Sequence, residues 1–271
     1  MSAVALVGRQ MRFTNKAFWR NPASAFFTFA FPLMFLVIFT SLLGDDQVDF
    51  GPIDLDTTTY YVGAMAAFGV ISACFTNIAI QTTFNRDAGI LKRLRGTPIP
   101  AASYMAARVL HATVVGAILV LVTLLFGRFV YDSPLPTGMP LVEFVVTFLV
   151  GSLAFAAMAL AVTAVIPNAE AAPPIVNAVI LPLLFLSGIF IPLGENAPAW
   201  MKVIGNVFPV KHFSEAMRAG FLGNVIVAPP GQGGMAVRAF PFDWWDVAIV
   251  SAWGVAGLLL AIRFFSWEPR R

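Results

Sequence analysis

The sequence predicts an all-α integral membrane protein: six transmembrane helices, an N-terminal interfacial amphipathic helix, and a re-entrant helical pair before the last span. Three observations carry this. The 271 residues are 59% hydrophobic and 11% charged, with mean hydropathy +0.82, whereas a soluble domain carries about 25% charged residues. Six apolar runs are long enough to cross, since a helix of about 20 residues rises about 30 Å, the thickness of the hydrocarbon. The runs are apolar on every side and longer than the about ten alternating residues of a barrel strand, so only helices fit. The chain reads as one transmembrane domain over 1–271.

Residues 1–22 come first. Arg9, Arg12, Lys16 and Arg20 recur at helical spacing and form one stripe, Leu6, Phe13 and Ala17 sit elsewhere on the wheel, and Trp19 falls near the membrane edge. This pattern predicts a helix lying on an anionic leaflet, the alternative being a basic flank that only sets orientation. Charges throughout, without a cleavage site after an apolar centre, exclude a secretory signal. The predicted spans are 24–43, entered through Asn21-Pro22 and closed by Gly44, then 60–82, 104–126, 141–166 closed by Pro167, 174–193, and 244–265, anchored by Trp244 and Trp245. Segment 194–243 is more than a loop. "APAWMKVIGNVF" and "VKHFSEAMRAGFLG" are helical patterns parted by Pro209, the second capped by Gly223. Each is too short to cross, so the pair is expected to dip into one leaflet and return, surrounded by protein. The Gly/Pro-rich stretch after Gly223 reads as irregular. Cys74 is the single cysteine, a small apolar filler, so no intramolecular disulfide is possible.

Basic residues set the orientation. With the N-terminus cytoplasmic, Arg9, Arg12, Lys16, Arg20, Arg86, Lys92, Arg93, Arg95, Arg108, Arg263, Arg270 and Arg271 fall inside, twelve of the 17 Lys and Arg, and Arg128, Lys202, Lys211, Arg218 and Arg238 outside. Asp45, Asp46, Asp49, Asp54 and Asp56 crowd the first outer loop. Six spans return the C-terminus to the cytoplasm.

Several chemistries are missing. The chain has no phosphate-binding loop G-x-x-x-x-G-K-[ST], no H-E-x-x-H and no C-x-x-C. Its two histidines, His111 and His212, belong to opposite halves of the bilayer and cannot share a metal. Arg108 shares a helix face with His111 and can snorkel to the headgroups. Glu143 and Asp246 open their spans, and no carboxylate lies at mid-membrane, where proton or sodium coupling usually places one. This weighs against a secondary carrier or channel, the alternative class, and the missing catalytic pairs weigh against a membrane enzyme. Energy is expected to enter from another chain.

The connector 84–100 concentrates charge: "NRDAGILKRLRGTPIP". Phe84 to Leu94 can form a short helix exposing Arg86, Lys92, Arg93 and Arg95, broken by Gly96-Thr97-Pro98, with Pro100 starting the third span. On its residues alone this is either a solvated positive-inside loop or a stiff helix receiving a push from a soluble partner.

"GILKRLRGTPIPAASYMAARVL" resembles the signature of type-2 ABC exporter permeases of the daunorubicin-resistance kind, a G-x-L-x-x-L-x-x-[ST]-P run after the second span. Gly89, Leu91, Leu94, Thr97 and Pro98 match it, and Arg86, Lys92, Arg93 and Arg95 supply its basic character. "LPLLFLSGIFIPL" resembles the family's fifth span, and "FPVKHFSEAMRAGFLG" its outer motif through Pro209, Glu215, Ala216 and Arg218. The likeness covers nearly the whole chain, departing in the Gly/Pro-rich insert after Gly223. The resemblance implies a half-transporter without ATPase activity of its own. Two permease chains, a homodimer or close paralogues, would pair among membrane lipids, and each would dock a separate ABC ATPase subunit that holds the ATP and Mg. No cofactor, metal or nucleic acid is expected on this chain. The connector would be the coupling helix, through Arg86, Asp87, Gly89, Leu91, Lys92, Arg93, Leu94, Arg95, Thr97 and Pro98. The complex would sit in the bacterial plasma membrane and export an amphipathic drug, antibiotic or lipid.

A substrate path is expected along the dimer axis, walled by the second and fifth spans. Asn77 and Gln81 lie four apart among apolar neighbours, with Phe75 close by, and amides facing lipid would be costly. The fifth span carries Asn177, Pro182 and Ser187-Gly188, with Phe185 in an apolar constriction. The same residues would also serve plain helix packing, and the 26 phenylalanines serve equally as lipid-facing filler.

Overall fold

A computed structural model describes residues 3–43, 48–49, 54–55, 57–97, 100–192, 197–227, 237–238 and 240–268. It is a helical bundle. Helix α1 (Ala3–Trp19) meets α2 (Pro22–Leu43) at Asn21, where proline begins the new helix without losing a needed N–H. The aromatic residues at this corner lock the turn: Trp19 stacks on Phe29 at 5.9 Å, and Phe18 meets both Phe29 and His111 edge-on. The interfacial helix expected over 1–22 is thus a helix packed against α6 (Ala101–Tyr131).

The second span is the centre of the molecule. Helix α3 (Thr57–Ile71), a π-helical turn (Ser72–Thr76) and α4 (Asn77–Asp87) run on as one apolar segment of 31 residues. At about 1.5 Å per residue this is about 46 Å, more than the hydrocarbon needs, so α4 continues past it. Every residue of α3 is buried. The π turn slips one residue into the helical register and re-aims the polar face of α4.

Helices α6, α7 (Met139–Val162) and α11 (Trp244–Phe264) match the expected third, fourth and sixth spans within a few residues. α11 lies along α7 on small residues. A Cβ at Gly254 would come within 2.7 Å of Ala154, and one at Gly257 within 2.9 Å of Met158, so these glycines let the two backbones approach closely.

The fifth span departs from expectation. Instead of helix over 174–193, α8 (Ala172–Phe185) has 14 residues, about 21 Å, and gives way to buried turns through Ile189 and Phe190. Gly188 sits at φ 74°, a left-handed conformation that ends the helix rather than packing it. The freed carbonyls are not left bare. Tyr60 Oη donates to the Gly188 carbonyl at 2.6 Å and Tyr61 Oη to that of Phe190 at 3.1 Å, so protein replaces the missing helical bonds. Leu193 and Gly44 lie outside the described residues.

The re-entrant pair is α9 (Ala199–Val207) and α10 (Pro209–Leu222), hinged at extended Phe208. Phe208 stacks on Trp253 at 5.6 Å, and Trp253 Nε1 donates to the Val207 carbonyl at 3.1 Å. Trp253 lies nine residues into α11, so the hinge reaches about 14 Å below that helix's start. α10 returns along α7, with Phe213 on Gly151 and Gly220 on the backbone of Phe144. The stretch after Gly223 is not wholly irregular: Ile226–Val227 pairs antiparallel with Val237–Arg238, as Val48–Asp49 does with Asp54–Leu55.

Candidate functional site

The connector after the second span forms an elbow. α4 stops at Asp87, Gly89 turns the chain at φ 68°, and α5 (Ile90–Arg95) follows. The expected single helix from Phe84 to Leu94 is therefore two helices with a glycine corner. Leu91 is fully buried and anchors α5, while Lys92, Arg93 and Arg95 face outward. Leu94 is half-buried, and Thr97 closes the end by donating from Oγ1 to the Leu94 carbonyl at 2.6 Å. Pro98 lies outside the described residues. Arg93 donates to the Ala88 carbonyl at 3.2 Å, and Arg95 lies 3.7 Å from Glu268 with both side chains exposed.

Arg86 corrects the sequence expectation, for it is buried rather than exposed. Its guanidinium donates to the carbonyls of Thr163 at 2.9 Å, Ile166 at 2.8 Å and Pro167 at 3.2 Å. The end of a helix leaves carbonyls without intrahelical partners and carries negative dipole charge. A forked cation meets both needs where α7 ends. Asp87 completes the clasp by accepting from the Ala169 amide at 2.5 Å while holding Arg86 at 3.3 Å. The elbow and the loop 163–171 are therefore fastened together, a link that sequence reading missed. No local signal marks it, because the partners lie 77 to 82 residues apart.

A cavity of about 350 Å³ opens at the α1 end of the bundle. Asn77 and Gln81 line it, joined by Asn85 one turn further along α4 and by Gln10, Thr14, Arg108 and His111 from α1 and α6. The amide stripe thus faces the interfacial helix. Tyr104 Oη and His111 Nε2 are buried there without a hydrogen-bond partner among the described residues. Phe75 is buried in the core behind this cavity and does not line it.

A second cavity of about 430 Å³ lies at the opposite end, beside the re-entrant pair. Ser187 and Gly188 line it with Tyr60, Lys202, Lys211, Glu215, Arg218 and Asp246. Lys211 lies 3.5 Å from Glu215, and His212 bridges Asp246 at 2.7 Å and the Asn206 carbonyl at 2.9 Å. One donor atom each from His212, Glu215 and Asp246 falls within 4.8 Å of the others, the spacing of a metal site. Both imidazole nitrogens already face oxygen partners, however, and Lys211 already neutralises Glu215, so the cluster is complete as a hydrogen-bonded one. Asn177 and Phe185 sit apart on the exposed face of α8, with Phe185 against Phe190 at 5.1 Å. Within one chain the expected path residues therefore fall at the α1 cavity, the core, the second cavity and the face of α8.

The profile of the ABC-2 type transporter family matches residues 4–222, from α1 through the elbow, the first cavity and most of the second to the end of α10. The chain belongs to the ABC-2 type transporter family. It is similar to "Putative transport permease ycf38" of Porphyra purpurea, 25% identical over 201 residues covering 74% of this chain and 68% of that one. It is also similar to "Putative transport permease YvfS" of Bacillus subtilis (strain 168), 24% identical over 208 residues covering 74% and 81%, and to the ycf38 permease of Pyropia yezoensis, 26% identical over 205 residues covering 74% and 68%. This ABC-2 chain is a multi-pass membrane subunit of a transporter. The elbow, with the outward-facing Lys92, Arg93 and Arg95, falls inside the matched region.

Proposed function

We propose that the chain is the permease half of an ATP-driven exporter. A separate ATPase subunit binds ATP and Mg and docks on the elbow. Two permease chains, identical or closely related, stand side by side with two ATPase copies beneath. Both termini face the cytoplasm of a bacterial cell, and the substrate is a hydrophobic or amphipathic molecule such as a drug, antibiotic or lipid. The observation that carries this reading is the elbow itself. A solvated loop needs no internal fastening, yet α5 presents Lys92, Arg93 and Arg95 on a base pinned by Leu91, Arg86 and Asp87. A push on such a base reaches α4 and the end of α7 together. In this reading the second chain and the substrate path lie against α8, whose face bearing Asn177, Leu181 and Phe185 is exposed.

The test is co-purification with the co-encoded ATPase, followed by hydrolysis assays across candidate substrates. Arg93→Glu with Arg95→Glu is expected to leave the permease inserted and to weaken ATPase docking. Unchanged complex yield with unchanged substrate-stimulated hydrolysis would sink the assignment.

A further inference from the structure

We propose that the cavity beside the re-entrant pair binds the oxyanion headgroup of an amphipathic ligand through Arg218. Arg218 is only 9% exposed. Its Nε donates to the Ser214 carbonyl at 3.3 Å, its Nη1 donates to Tyr60 Oη, and it lies 4.7 Å over the Tyr60 ring. These partners are all neutral. Among the described residues no carboxylate comes within ion-pair distance of it. The two acids of the cavity are engaged elsewhere, Glu215 with Lys211 and Asp246 with His212. A buried cation without a counter-ion is expensive in a membrane protein and marks a functional position.

The free edge of the fork faces open space. Nη2 makes no hydrogen bond among the described residues, and a Cβ on Gly188 would stand 3.5 Å from it. Gly188, held at φ 74°, leaves that approach clear. Tyr60 uses its hydroxyl proton on the Gly188 carbonyl, so the cavity offers its ligand charge from Arg218, the geometry suited to a carboxylate or phosphate. The ligand also has an apolar part to place. α9 contributes Lys202 and Asn206 to the cavity, and it carries Trp200, Val203 and Val207, each more than half exposed. An acyl or aromatic tail fits that face while the headgroup sits on Arg218. The inference does not rest on the direction or the energy source of transport.

Native mass spectrometry of the purified full-length chain tests it. The chain is titrated with phosphatidylglycerol and with phosphatidylcholine of matched acyl chains. Phosphatidylglycerol is expected to bind about tenfold tighter, the effect of one charge-assisted contact. Arg218→Gln should abolish the preference and Arg218→Lys should reduce it. Arg128→Gln, which removes an exposed cation that pairs with Asp132 and does not line the cavity, should leave it intact. If Arg218→Gln does not purify, the lysine variant alone decides. Displacement by inorganic phosphate would show that the free oxyanion suffices, and its failure to displace would assign the site to a headgroup on a tail. Equal binding of the two lipids to the wild type, or a full preference in every Arg218 variant obtained, overturns the proposal.

Discussion

Arg86 turns its charge inward, onto three backbone carbonyls at the end of α7. A forked guanidinium satisfies them together, whereas a lysine, as a point charge on a flexible stem, reaches fewer. Arg86→Lys is therefore expected to lower the stability of the purified chain by about 2 kcal/mol, the cost of leaving a buried carbonyl unpaired. A thermal melt in detergent reads this. In the assembled transporter the same variant should weaken both ATPase docking and substrate stimulation of hydrolysis. Gly89 gives a cleaner case. A side chain there would meet no atom within 4 Å of its Cβ, so only the φ of 68° resists substitution. Gly89→Ala should cost about 1 kcal/mol through backbone strain alone, and Gly89→Asn, which tolerates the left-handed region, should cost less. Equal melts for all three chains would remove the strain argument.

At the scale of elements, what a sequence reveals depends on how far apart the determinants lie. The long spans were legible because each run carries its own apolar length. The outward charges of Lys92, Arg93 and Arg95 were legible for the same local reason, whereas Leu91 entered only through the family motif and its burial was not foreseen. The shortness of α8 was not, because it depends on Tyr60 and Tyr61 reaching carbonyls 128 and 129 residues away. The π turn left no mark in Ser72–Thr76. The inward turn of Arg86 and the pairing of His212 with Asp246 were hidden for lack of any local pattern. The re-entrant pair was visible as two helices too short to cross, but its depth came only from the contact of Phe208 with Trp253. That depth is testable. In a Cys74→Ala background, a fluorophore on Val207→Cys should be quenched most by nitroxides placed deep on the acyl chain, and one on Asn224→Cys most by headgroup nitroxides. Equal shallow quenching at both sites would place the pair on the membrane surface.

For the whole molecule, the distribution of basic residues predicts one orientation. Asp49→Cys and Gly231→Cys in the Cys74→Ala background should react with an impermeant thiol reagent applied to intact cells, and Gly96→Cys should react only after permeabilisation. The reverse pattern would invert the topology. The clasp between Arg86 and the end of α7 also has a consequence for how the protein is made. Its two sides are separated by 77 to 81 residues, and a ribosome adds about 5–20 residues per second. For roughly 4–16 seconds after Arg86 is added to the chain, its partner carbonyls do not yet exist. The platform at α5 is complete only once the fourth span has been inserted, so a nascent chain arrested before α7 should fail to capture the ATPase while one arrested beyond α8 captures it. If the ATPase docks on α5 as proposed, assembly of the transporter would be timed by the length of the permease already synthesised.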